Sequence, residues 1–154
     1  MDILINFELL NTTMTTRFYF LKKISLSKRT VLKKFLQKIA DVEKTKIKEL
    51  SIIFCSDSYL LEINKTFLSH NYHTDIITFD LTEKNEIAKT AELYISVDRV
   101  RANSIEYQSS INNELHRVVF HGILHLCGYK DKSRIDIQKM REKENKYLNL
   151  YFKK

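Results

Sequence analysis

Glycine is nearly absent from this chain and proline is wholly absent. The only two glycines among 154 residues, Gly122 and Gly128, lie six apart in one short run. That run reads His121-Gly122-Ile123-Leu124-His125-Leu126-Cys127-Gly128-Tyr129 and holds two of the five histidines. Without proline, helices must stop at glycine or at polar caps. With so little glycine, backbone crowding and left-handed turns are concentrated where both glycines sit.

On a helical wheel Leu115, Val118, Val119, Gly122 and Leu126 form one apolar stripe, with Phe120, Ile123 and Leu124 covering most of the rest. The pattern predicts a largely buried helix over Asn113–Cys127. Gly122 lies mid-stripe and costs roughly 1 kcal/mol of helix propensity relative to alanine. A close approach of the helix backbone to a neighbouring element offsets that cost. One lane escapes the apolar rule: Glu114, Arg117, His121 and His125. A buried polar lane needs partners.

Histidines at i and i+4 project side by side and can present ring nitrogens to one ion. They can equally be hydrogen-bonded core histidines, since the spacing alone is a weak motif. Gly128 can end the helix in the left-handed conformation, so that the chain turns back beyond the rings with Asp131 in reach. Two imidazoles and a carboxylate with an open fourth position suit a catalytic zinc site. The competing reading of Asp131 is a solvated loop acid, or a cap for a last helix that Ser133 and Asp136 can also start. The position after the first histidine, where His-Glu-x-x-His peptidases carry their base, is Gly122. Phosphodiester hydrolysis depends more on the metal and on cations around the phosphate.

The remaining pattern gives an α/β (α+β) domain of about four short strands and five helices, with residues 1–154 as one domain. Strands are expected at Ile3–Phe7, Leu50–Phe54, Asp75–Asp80 and Glu92–Val97. A helix capped by Ser27 should bury Leu32, Phe35, Leu36 and Ile39, and one capped by Asp57 should bury Leu60, Ile63 and Phe67. Another helix runs near Val100–Tyr107, and a last one after Ser133 turns Ile137, Met140, Tyr147, Leu148 and Tyr151 to one side. Net charge is +7, from 26 Lys and Arg against 19 Asp and Glu. That suits RNA, DNA or anionic lipid, or else a lysine-rich solvated surface. Cys55 and Cys127 read as reduced core thiols in a cytoplasmic setting. No apolar stretch approaches the ~18 residues of a membrane span.

The histidine run resembles the signature His-Gly-x-Leu-His-Leu-x-Gly-Tyr-Asp-His of the YbeY family of rRNA-maturation endoribonucleases. The family's segments Asn-x-x-Tyr-Arg and Thr-Asp-Val-Leu-Ser-Phe are echoed by Asn64, Phe67 and Thr74–Phe79, and its Gly-Asp-Ile-x-Ile-Ser by Ala91–Ser96. The resemblance implies a zincin-like domain with one zinc ion held by His121, His125 and Asp131. It also implies cytoplasmic action on rRNA in the small (16S) ribosomal subunit. In two places the chain departs from the family. The third histidine ligand is Asp131 here, with Lys130 in place of the preceding aspartate, and the arginine tied to RNase activity is Leu68.

Arg117, one turn before His121, is a candidate catalytic replacement able to hold two phosphate oxygens. The competing reading is an Arg117–Glu114 pair along the helix. His70, His73, Arg99 and Lys130 are candidate substrate contacts, and Tyr72 and Tyr129 candidate base-stacking surfaces. Two rival functions stand beside rRNA cleavage. One is a metallohydrolase, such as a metallopeptidase, acting on another substrate. The other is a non-catalytic ribosome-associated RNA-binding protein with a structural metal.

Overall fold

The run Ile52-Ile53-Phe54-Cys55 is too apolar for a strand with a solvated face, and it lies inside the sheet. The computed structural model describes residues 12–153. In chain order these form β1 (Thr15–Phe20), α1 (Arg29–Val42), β2 (Ile47–Cys55), α2 (Asp57–Leu68), β3 (Ile76–Asp80) and β4 (Lys89–Ser96). Three helices complete the chain: α3 (Val97–Glu106), α4 (Ile111–Leu126) and α5 (Arg134–Phe152). The sheet order is β1-β2-β4-β3. β1 and β4 both run parallel to β2. β3 pairs antiparallel with β4, with Ile76 opposite Ile95 and Thr78 opposite Leu93. β3 is therefore an edge strand, and its free side borders the cavity described below.

Side chains alternate across a sheet, so neighbours on one strand serve different faces. Ile76 joins the main core with Leu36 and Ile39 of α1, Leu93 and Ile95 of β4, Val118, Val119 and Ile123 of α4, and Met140 and Tyr147 of α5. Ile77 joins a smaller cluster with Cys55 and with Leu60 and Ile63 of α2. α4 presses directly on the sheet. A Cβ placed on Gly122 would come within 2.7 Å of Ile76 Cδ1 and 2.8 Å of Leu93 Cδ1. Only a residue without a side chain lets this helix sit so low.

Several local expectations are corrected. The expected strand Ile3–Phe7 lies outside the described residues. β1 instead covers Thr15–Phe20, where Thr16 faces inward and Arg17 and Tyr19 outward. α1 begins after Lys28 in the left-handed region with no side-chain cap, not at Ser27. α2 is capped by Ser56, whose hydroxyl accepts from the Tyr59 N–H, and this frees the Asp57 carboxylate for Arg99. Phe67 is 69% exposed and Ile137 also faces solvent, because each lies at the margin of its helix's apolar stripe. Ser133 caps α5 by accepting from the Asp136 N–H. Both cysteines are free, and Cys55 is fully buried. Among the described residues, no helix is long and apolar enough to cross a membrane.

Candidate metal centre

α4 carries His121 and His125 one turn apart, with both rings at its surface toward β3. Cys127 then ends the helix, and Gly128 takes φ +96°, a conformation that side chains resist. The returning chain brings Asp131 to the rings. Asp131 Oδ2 lies 3.4 Å from His121 Nε2 and 3.3 Å from His125 Nε2, and the two Nε2 atoms are 2.9 Å apart. A tetrahedral ion with bonds of about 2.0–2.1 Å separates its ligand atoms by roughly 3.3 Å. The two separations to Asp131 match the edges of such a site, and the two rings need to part by only about 0.4 Å to match the third.

The hydrogen bonds on the far side of each ring strengthen that fit. His121 Nδ1 donates to Glu144 Oε1 at 2.5 Å, and His125 Nδ1 donates to the Tyr129 carbonyl at 2.9 Å. With both Nδ1 atoms donating, each neutral ring turns a bare lone pair inward at Nε2. Two acceptors facing each other repel unless a cation lies between them, and a carboxylate beside them adds to the demand for positive charge. A proton can answer it in part. Burial disfavours charging His121, yet the bond to Glu144 and the charges of Glu144, Asp75 and Asp131 outweigh it and raise its pKa. A divalent ion answers it for both rings and the acid together.

Behind the rings lies a buried ionic cluster. Glu144 is 4% exposed and Glu114 is buried beside it. The guanidinium of Arg117 is held by Glu114, with Nε 2.9 Å from Oε2 and Nη2 2.6 Å from Oε1. It also reaches Asp75 Oδ2 at 3.3 Å and Glu144 Oε1 at 3.5 Å. Burial works against the charge on Arg117, but these carboxylates more than offset it and raise its pKa. The donors expected to grip phosphate are therefore committed to carboxylates, and Arg117 does not line the cavity. The Glu114 pairing weighed as the alternative is the contact that forms.

The cavity in front of the rings measures about 470 Å³ and holds His121, His125 and Asp131 in its wall. Ile76, Ile77, Leu126 and Leu68 provide its apolar surface. His70 lines it with Tyr72. The two rings stack at 5.0 Å between centroids and 22° between planes, and Tyr72 Oη lies 3.0 Å from His70 Nδ1. Asn64, buried on α2, anchors this loop by donating to the Tyr72 carbonyl at 2.8 Å. His73 instead pairs with Asp57 at 3.0 Å, outside the cavity wall. Arg99 also pairs with Asp57, through Nε at 3.0 Å and Nη2 at 3.1 Å. Lys130 lines a separate cavity with Gly128 and Lys139. Tyr129 packs against the core edge and donates to Glu43.

Two contributors escaped the sequence reading. Glu144 interrupts the stripe of Met140, Tyr147 and Leu148, and a lone acid at a core position was the available signal. Lys132 looks like any surface lysine in sequence, yet it lines the cavity.

The chain matches the family model described as Endoribonuclease YbeY over residues 19–151. It is 46% identical over 138 residues to the endoribonuclease YbeY of Cytophaga hutchinsonii, covering 88% of this chain and 95% of the relative. To that of Parabacteroides distasonis it is 42% identical over 132 residues, covering 84% and 92%. The solution structure of TM1509 from Thermotoga maritima is similar over 90% of this chain and 89% of that one, at 27% identity and a TM-score of 0.56.

Proposed function

This chain belongs to the YbeY endoribonuclease family, and we propose that it is a zinc-dependent endoribonuclease. In this reading it cleaves single-stranded regions of rRNA during maturation of the small (16S) subunit, in the cytoplasm. The observation that carries the reading is the pair of inward Nε2 atoms 2.9 Å apart beside the Asp131 carboxylate. His121, His125 and Asp131 would hold the ion, which when bound supplies Lewis acidity at its open position.

The chain's own groups do the rest. Glu144 and the Tyr129 carbonyl fix each imidazole with Nε2 turned inward. Arg117 is a positioning residue, pairing with Glu114 and Glu144 behind the ring of His121. Ile76, Ile77 and Leu126 exclude water from one side of the cavity. The stacked His70–Tyr72 pair offers a flat aromatic face to an unpaired base, which favours single strands over duplex. Gly122 leaves no side chain where a His-Glu-x-x-His peptidase carries its base, which speaks against peptide hydrolysis.

Purified protein with one equivalent of zinc, incubated with rRNA precursor beside a His125→Ala variant, tests the reading. Cleavage by the wild type and none by the variant is expected. Equal cleavage in both is contamination and sinks the enzyme reading. RNA binding without cleavage by either supports a binding protein with a structural metal.

A further inference from the structure

In the reading above the cavity takes a polyanion, yet its wall is acidic. Asp75, Asp80 and Asp131 line it, and Lys132 is the one Lys or Arg that does. Each of the three acids has a positive or protonatable neighbour: Arg117 beside Asp75, Lys89 beside Asp80, and the two histidine rings beside Asp131. Nearby cations are spent in the same way. Arg117 is held by three carboxylates, and Arg99 is paired with Asp57. Lys132 is exposed and, among the described residues, has no carboxylate within ion-pair distance. It lies between Asp131, whose carboxylate faces the rings, and Ser133, which caps α5.

We propose that Lys132 is the phosphate-contacting cation of this cleft; this rests on the reading above that the cleft takes single-stranded RNA. A lysine serves as a mobile point charge, so it meets one phosphate along a single strand without reading the base. A free positive charge adjoining the metal ligands would set the register of the backbone across them.

The test uses zinc-loaded protein and a fluorescein-labelled single-stranded RNA oligonucleotide. Binding is followed by anisotropy across a salt series, and cleavage of the same RNA is measured in parallel. Lys132→Met should weaken binding about five- to tenfold and reduce the slope of log affinity against log salt by about 0.7. KM should rise more than kcat falls. Lys132→Arg should stay within about twofold of the wild type, and Lys34→Met on the exposed side of α1 should change neither slope nor KM. Cleavage by the wild type with unchanged affinity and slope in Lys132→Met overturns the role of Lys132 and leaves the nuclease reading intact. Weakened binding in Lys132→Met without cleavage by any protein upholds Lys132 and overturns the nuclease reading.

Discussion

Replacing Gly122 by alanine sets two known effects against each other. Alanine inside α4 gains roughly 1 kcal/mol of helix propensity. Its Cβ, however, would lie 2.7 Å from Ile76 Cδ1 and 2.8 Å from Leu93 Cδ1. Carbon atoms pack at about 3.5–4.0 Å, so each methyl must retreat by roughly 1 Å. Leu93 is fully buried and Ile76 nearly so, and both are packed within the main core. Overpacking of this kind costs about 1–3 kcal/mol. The clash therefore wins, with net destabilisation of about 1 kcal/mol, or a Tm lower by about 2–4 °C at this chain length. A double-mutant cycle identifies the cause. Leu93→Ala removes the two obstructing methyls of Leu93, leaving Ile76 Cδ1, and should cost less in the Gly122→Ala variant than in the wild type, by about 1 kcal/mol. Thermal melts of the four proteins supply the measurement. A Tm that rises on Gly122→Ala would refute the claim that the glycine exists for close approach.

Glu144→Gln keeps an acceptor for His121 Nδ1 but removes the charge behind it, and should weaken zinc binding about tenfold in a chelator-competition titration while the far-ultraviolet spectrum stays native. Gly128→Ala meets no neighbouring atom, so its cost is backbone strain alone, about 1–2 kcal/mol by denaturant titration. Burial depresses the pKa of His116, against the pull of its bond to the Asn112 carbonyl. As pH falls, the unfolded chain therefore takes up this proton first. Stability from this group is complete above the ordinary imidazole value of about 6.5 and declines as pH drops from there toward the folded value. His116→Gln should shrink the loss of Tm between about pH 7.5 and 5.5, measured by calorimetry.

The fold class, four strands in a mixed sheet with five helices, was legible in sequence, and so was much of the local geometry of the candidate site. His121, His125, Gly122 and Gly128 could be read because each depends on local geometry: one helical turn, one close approach, one left-handed stop. Asp131 came from the same local reasoning about where the chain returns. Glu144 lies 23 residues from His121, and only the packing of α5 on α4 brings them together. The fate of Arg117 was legible only as a choice between partners, and burial decided it: a desolvated guanidinium takes the nearest buried carboxylates. In β1, inward Thr16, Phe18 and Phe20 alternate with Arg17 and Tyr19, a pattern that the more apolar run Ile3–Phe7 overshadowed. The cap of α2 shifted by one residue because Asp57 has a stronger partner in Arg99 than in its own helix N-terminus.

The most direct test is metal stoichiometry by equilibrium dialysis against zinc, comparing the wild type with Asp131→Ala and His125→Ala. With both Nε2 atoms turned inward and the acid beside them, the wild type should hold one ion per chain. Both variants should lose most of it at the same free zinc. Full occupancy in Asp131→Ala would contradict a two-histidine, one-aspartate centre, and no bound zinc in the wild type would contradict a metal centre at all.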